Sequence, residues 1–243
     1  MKKTLNEFWL SIGDYLHLYA IRTGAVKHMI VQNYLTGDSK GKFGNSVFYK
    51  SLDQNMVRAV SENWHDAKSP EQLDKRARFA ELNLWAKRFN NMIKIGYCGN
   101  TGNQVAYNKF MSFNLKNAMT GDGKPTYIDY SKVLIAKGLL SVMVPVSFLI
   151  DPDENFVELI WTDNSYEQTA NPSDYCRVLL YNITQDKFAF YLGDVKRRIT
   201  TVTFSCPDGF LTKDNKLIIY SFFVSETGKR VSNSRFWGEF ILS

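Results

Sequence analysis

The sequence predicts an α+β protein in which an N-terminal helical region with a short hairpin precedes an antiparallel β-sandwich. Before residue 124, apolar residues recur at spacings of three and four. After it come short runs rich in branched and aromatic residues, separated at regular intervals by turn residues. Parallel strands would need helical crossovers between those runs, and no helical pattern intervenes. At 243 residues, 44% of them hydrophobic, the chain can form one or two domains with a real core. The expected divisions are an N-terminal helical extension over 1–36, a hairpin plus two helices over 37–123, and the sandwich over 124–243.

In chain order, Leu5, Phe8, Trp9, Ile12, Leu16 and Tyr19 put one apolar stripe on a helix expected over residues 4–20. Such a stripe needs something to lie against, so these six residues are candidate partner-binding positions. Gly37, Gly41 and Gly44 punctuate the next segment, and Ser46 to Tyr49 with Asn55 to Val60 suit a hairpin. Ser69-Pro70-Glu71-Gln72 reads as a helix start, with Ser69 as cap, Pro70 at the first helical position and Gln72 completing a capping box. That helix is expected to run to about Gly96 with Phe79, Leu82, Ala86, Phe89 and Ile93 on its packing face. A Gly/Asn-rich break leads to a second helix through Tyr107, Met111, Leu115 and Ala118, stopped by Gly121 and Gly123.

Beyond Pro125 the expected strands are 127–136, 140–150, 156–162, 175–183, 187–192, 199–204, 217–225 and 236–242. Asp151-Pro152, Asp163-Asn164, Asp208-Gly209 and Thr227-Gly228 mark turns between them. Trp161, Tyr181, the alternation Ile218-x-Tyr220-x-Phe222-x-Val224, Glu226-Thr227-Gly228 and Ser232-Asn233-Ser234 resemble the fibronectin type III pattern, which implies an immunoglobulin/fibronectin-like sandwich. That likeness is architectural and implies no activity.

A second resemblance runs from about Gly37 to the C-terminus. It rests on Gly41-Lys42-Phe43-Gly44-Asn45, Ala67-Lys68-Ser69-Pro70-Glu71-Gln72, Phe113-Asn114-Leu115-Lys116-Asn117-Ala118, Ile128-Asp129-Tyr130-Ser131-Lys132-Val133, and Phe223-Val224-Ser225 through Ser232-Asn233-Ser234. Five segments in this order resemble a Bacteroidota family of unknown function, which implies no activity to carry over. The expected helix at 4–20 stands outside that likeness.

Recognisable catalytic, cofactor and metal patterns are missing. Cys98, Cys176 and Cys206 are an odd number without CxxC or Cys/His spacing, so they read as free, mostly buried thiols. Lys42 is followed by Phe43 where a phosphate-binding loop needs Ser or Thr, and Gly96, Gly99 and Gly102 follow a helix rather than a strand. His17, His28 and His65 stand in segments without a nucleophile pattern, and His65-Asp66 reads as a solvated or capping pair. Asp151, Asp153 and Glu154 lack the glycine of a calcium loop and read as a turn.

Glu7 and Asp14 interrupt the early apolar stretch, against a signal peptide, and no run reaches the roughly 20 apolar residues of a membrane helix. The formal net charge of +6 is concentrated before residue 121, with 17 basic against 9 acidic side chains. Arg76, Lys87 and Lys94 fall on one side of the expected first helix, which makes them candidate anion-binding positions. Lys196-Arg197-Arg198 reads as charge protecting an exposed strand edge.

The expectation is therefore a non-enzymatic structural protein of a tailed-phage virion, in the neck, tail or capsid surface. It would be made in the host cytoplasm without cofactor or membrane span, and would work as a homo-oligomer in contact with other virion or assembly proteins. One alternative is a bacterial glycan- or ligand-binding sandwich with Tyr166 and Trp237 exposed and Trp161 in the core. The other is a nucleic-acid-associated protein of the bacterial cytoplasm using the basic N-terminal half.

Overall fold

The structure, a computed structural model, describes residues 16–23, 26–33, 40–51, 54–60, 66–98, 103–121 and 127–242. It divides into two compact units, residues 1–67 and 68–243. The boundary expected at residue 36 falls inside the first unit, and that expected at 124 falls inside the second.

The described residues of the first unit form a five-stranded antiparallel sheet. Its strands are β1 (Leu16–Thr23), β2 (Val26–Asn33), β3 (Gly41–Phe43), β4 (Ser46–Ser51) and β5 (Gln54–Ala59), in the order β1-β2-β5-β4-β3. The hairpin read from the sequence is β4–β5, in register from Ser46 opposite Ala59 to Ser51 opposite Gln54. The helix expected over 4–20 is corrected at its C-terminal end. Leu16 and Tyr19 lie on β1, which pairs with β2 from Leu16 opposite Asn33 to Thr23 opposite Val26. Spacings of three and four over a short apolar run fit either structure, and ladder pairing with the β-branched Val26-to-Asn33 stretch decides it. Leu5, Phe8, Trp9 and Ile12 lie outside the described residues.

The second unit begins with α1 (Pro70–Lys87). Ser69 Oγ accepts the Gln72 N–H at 3.2 Å and Pro70 opens the helix, as the sequence foretells. The helix does not continue to Gly96. It closes at Arg88 and Phe89, whose N–H groups reach back only three residues, and α2 (Asn90–Gly96) starts afresh. Leu82, Ala86, Phe89 and Ile93 are buried across the break, whereas Phe79, expected in the same stripe, is 48% exposed. Next, α3 (Asn103–Asn117) buries Ala106, Phe110, Met111 and Asn114.

Nine strands follow among the described residues of the unit. They are β6 (Met119–Thr120), β7 (Tyr127–Ile128), β8 (Pro145–Asp151), β9 (Phe156–Trp161), β10 (Tyr175–Asn182), β11 (Lys187–Tyr191), β12 (Thr201–Ser205), β13 (Lys216–Val224) and β14 (Arg235–Ile241). The strand expected over 127–136 stops at Ile128, because Asp129 accepts the Ser131 N–H and winds 130–132 into a 3₁₀ turn. The run expected from 140 becomes a strand only at Pro145.

Apart from the two-residue pair β6–β7, these strands form two antiparallel sheets, β11-β10-β13-β14 and β12-β9-β8. Val157, Leu159, Trp161 and Val202 of the smaller sheet share a buried cluster with Cys176, Val178, Leu180, Leu217, Ile219 and Phe223 of the larger. The alternate residues Leu179, Tyr181, Ile218, Tyr220, Phe222 and Val224 bury the larger sheet's other face against the helices. Trp85, Phe89, Tyr181 and Phe188 form the aromatic centre of that contact, with Trp85 and Tyr181 ring centroids 5.9 Å apart.

Within Lys196-Arg197-Arg198, Arg197 does not act as an edge guard, whereas Arg198 is exposed just ahead of the edge strand β12. Arg197 is 0% exposed, in a 3₁₀ turn, and burial is tolerated because each of its three guanidinium nitrogens is hydrogen-bonded. Nε and Nη2 donate to Asp174 Oδ2 at 3.2 and 3.1 Å, Nη1 to Asn164 Oδ1 at 2.6 Å, and Nη2 also to the Ser141 carbonyl at 3.0 Å. The cation lies 3.9 Å from the Phe223 ring centroid, and the Arg197 carbonyl accepts Trp161 Nε1–H at 2.8 Å. Desolvation lowers the guanidinium pKa from its ordinary value, with Asp174 opposing. Removing one partner strands the other charge in the core, so Arg197→Ala should lower unfolding free energy by about 3–5 kcal/mol in urea titration. Lys196→Ala, which breaks a partly exposed 3.6 Å pair with Glu226, should change it by no more than about 1 kcal/mol. Equal, small effects would restore the edge-guard reading.

Candidate functional site

Chain between β7 and β8 is irregular, so its backbone polar groups need side-chain partners. Asn114, buried in α3, supplies two of them. Its Oδ1 accepts the Leu134 N–H at 2.9 Å and its Nδ2 donates to the Leu134 carbonyl at 3.1 Å, as a neighbouring strand would. From the other side, Ser234 Oγ accepts the Ile135 N–H at 2.9 Å and Asn233 Oδ1 accepts the Gly138 N–H at 3.1 Å. Ser232 Oγ holds the Phe223 N–H at 2.9 Å. Gly96 and Gly138 permit the close approach, since a Cβ on Gly96 would lie 2.4 Å from the Ile135 carbonyl oxygen and one on Gly138 2.0 Å from that of Val231.

This pinned segment and the outward face of α3 enclose an open groove of about 940 Å³. Residues 108/109, 112/113 and 116/117 recur every fourth position and line it, opposite the buried stripe of 106, 110, 114 and 118. Lys109, Lys116 and Lys137 enter the lining with Asn108, Asn117 and Asn233, and no carboxylate does. Lys137 Nζ sits 4.2 Å from the Phe113 ring centroid. The three lysines pair with no carboxylate among the described residues, whereas Lys75, Arg78, Arg88, Lys132, Lys196, Arg197 and Lys216 each do.

Arg76, Lys87 and Lys94 do not line this groove, and the break at Arg88–Phe89 puts Lys94 on a different helix from the other two. The missed signal was present in the charge pattern: residues 87–137 hold eight basic and two acidic side chains, a surplus equal to the chain's formal net charge.

A second exposed surface lies on β8, an edge strand that among the described residues pairs only with β9. Val146 and Leu149 are 62% and 50% exposed, and Val144 to Ile150 contains no charged residue. Phe148 leans on Phe240 of β14, centroids 4.3 Å apart, so the rim spans both sheets. At the far end of β8, Asp151 Oδ1 accepts the N–H groups of Asp153 and Glu154, the turn expected there. Trp161 is in the core and Tyr166 exposed, while Trp237 is half-buried with its indole N–H on Ser221 Oγ at 2.7 Å.

The sequence matches the model of a family of unknown function, DUF6266, over residues 38–238. The chain belongs to DUF6266. No curated protein matches it. In this DUF6266 chain the match takes in β3–β5 of the first unit and, in the second, every element through the start of β14, including the groove and β8. Among the described residues no group of three His, Cys, Asp or Glu side chains is placed to hold a metal ion, and no helix is long and apolar enough to cross a membrane.

Cys98 borders the groove, half-buried, while Cys176 and Cys206 lie in the core. Burial pushes all three thiols up, Cys176 to about 12 and Cys206 to about 11, which suppresses the reactive thiolate. Iodoacetamide at mildly alkaline pH should therefore modify Cys98 first and slowly, and the other two only on unfolding, as read by mass spectrometry. Early labelling of Cys176 would contradict this packing.

Proposed function

We propose that the protein is a non-enzymatic structural component of a tailed-phage virion infecting Bacteroidota, acting through protein–protein contacts as a homo-oligomer. The uncharged apolar edge of β8 carries this reading. Edge strands present unpaired N–H and C=O groups, and natural proteins commonly guard them with lysine, proline or a bulge. On β8 the guards, Pro145 and a register shift before Ser147, stand only at the start, and the remainder through Ile150 is unprotected. Such an edge is a template for adding a strand from another copy, with Val146 and Leu149 supplying apolar contact.

The strand order supports an immunoglobulin/fibronectin-like sandwich as the scaffold. β8–β9 and β10–β11 are hairpins, β12 crosses back to β9, and β13 crosses to β10, the Greek-key alternation of that architecture. Sandwiches of this kind serve widely as rigid docking modules, and the groove on the helical side leaves β8 unobstructed as a separate surface.

Light scattering of the full chain should give a discrete oligomer that becomes monomeric in the variant Val146→Lys/Leu149→Lys, with an unchanged melting temperature. A monomeric parent, or an oligomer indifferent to both substitutions, would reject edge pairing.

A further inference from the structure

We infer that the Lys109/Lys116/Lys137 groove is a docking site for an extended acidic segment of a partner protein. This inference stands apart from edge pairing at β8 and does not depend on it.

Charge complementarity comes first. Three ammonium groups line one concavity that has no carboxylate in its lining, whereas Lys75, Lys132, Lys196 and Lys216 of the same unit each stand beside a carboxylate. Residues 87–137, which contain α3 and Lys137, carry a surplus of positive charge equal to that of the whole chain. An acidic ligand is both attracted and retained there.

The remaining lining selects a peptide. Asn233 spends its Oδ1 on the Gly138 N–H, which leaves its NH₂ as a donor to a peptide carbonyl. Asn117 spends Nδ2 on the Phe113 carbonyl at 2.6 Å, which leaves Oδ1 as an acceptor for a peptide N–H. Donor and acceptor amides beside ammonium groups read a polypeptide with acidic side chains. Nucleic acid is the poorer match: Lys137 already covers a face of Phe113, Tyr97 is only 5% exposed, and strand recognition needs open aromatic platforms. The cations are lysines, point charges without the planar fork that grips phosphate in two places.

Geometry sets the motif. Lys109 and Lys116 stand two turns apart on α3, about 10 Å along its axis. An extended chain covers that distance in roughly three residues, so acidic side chains at about that separation meet both lysines. The opposite wall is held before binding by the Lys137 N–H to Gly96 carbonyl bond at 2.9 Å and by the Gly138–Asn233 bond, so little ordering is needed on association.

The test uses the full chain and fluorescence anisotropy, with a fluorescein-labelled oligoglutamate and a labelled oligothymidylate of the same length as probes. The groove variant Lys109→Ser/Lys116→Ser/Lys137→Ser is compared with Lys187→Ser/Lys213→Ser/Lys229→Ser, which removes the same charge from exposed positions elsewhere. The expected result is a dissociation constant for oligoglutamate raised about ten-fold or more in the groove variant and less than about three-fold in the control, with melting temperatures preserved. Equal weakening in both variants would mean bulk charge attraction and overturn the site. Oligothymidylate bound more tightly than oligoglutamate through the same lysines, or no oligoglutamate binding at low salt, would overturn the acidic-peptide assignment.

Discussion

Strand β13 is buried on both faces, and every other element of the larger unit is arranged by that constraint. Its run Leu217 to Val224 alternates strictly, odd positions toward the smaller sheet and even positions toward the helices. A strand of this kind needs two covering layers. The smaller sheet supplies one and α1–α3 the other, so the helices complete the core that the strands begin. Six large side chains on the helix-facing surface of β10 and β13, each worth about 1.5–3 kcal/mol on burial, sum to on the order of 10 kcal/mol. That matches the whole net stability of an ordinary domain.

Polar groups inside this frame are fixed as firmly as the apolar ones. Ser221, the one polar residue in the β13 run, is 0% exposed and answered by Met143 and Trp237. Tyr220 reaches through the helix-facing layer to donate to the Tyr130 carbonyl at 2.6 Å. Arg197 ties the segments before β8, β10 and β12 to one buried carboxylate, and Asn114 with Ser232-Asn233-Ser234 gives the irregular 133–140 segment the partners a sheet would have given it. The groove is a by-product of that pinning: a rigid wall facing the polar stripe of α3.

Much of this was legible in local chemistry. Capping by Ser69, the start of α3, the β4–β5 hairpin and strands β9, β10, β11, β13 and β14 follow from periodicity and turn residues whose signals are contained in a few neighbours. What escaped depends on distant partners. Leu16 to Ala20 reads as helix until the ladder of β1 with Val26 to Asn33 is known, and Arg197 reads as surface until Asp174 and Asn164 are brought beside it. Residues 113–118 and 232–234 carried the family resemblance without revealing that both grip the same segment, which is why Arg76, Lys87 and Lys94 drew attention and Lys109, Lys116 and Lys137 did not.

Interdependence of helices and strands within residues 68–243 is the central claim, and the melting of residues 68–243 against residues 124–243 alone tests it most directly. The longer chain should unfold in one cooperative transition, while the shorter one, with Tyr181, Ile218, Tyr220 and Phe222 stripped of their cover, should show no cooperative transition and should bind a hydrophobic dye. A sharp, dye-free transition of residues 124–243 near the temperature of the longer chain would contradict the account and make the strands a domain in their own right.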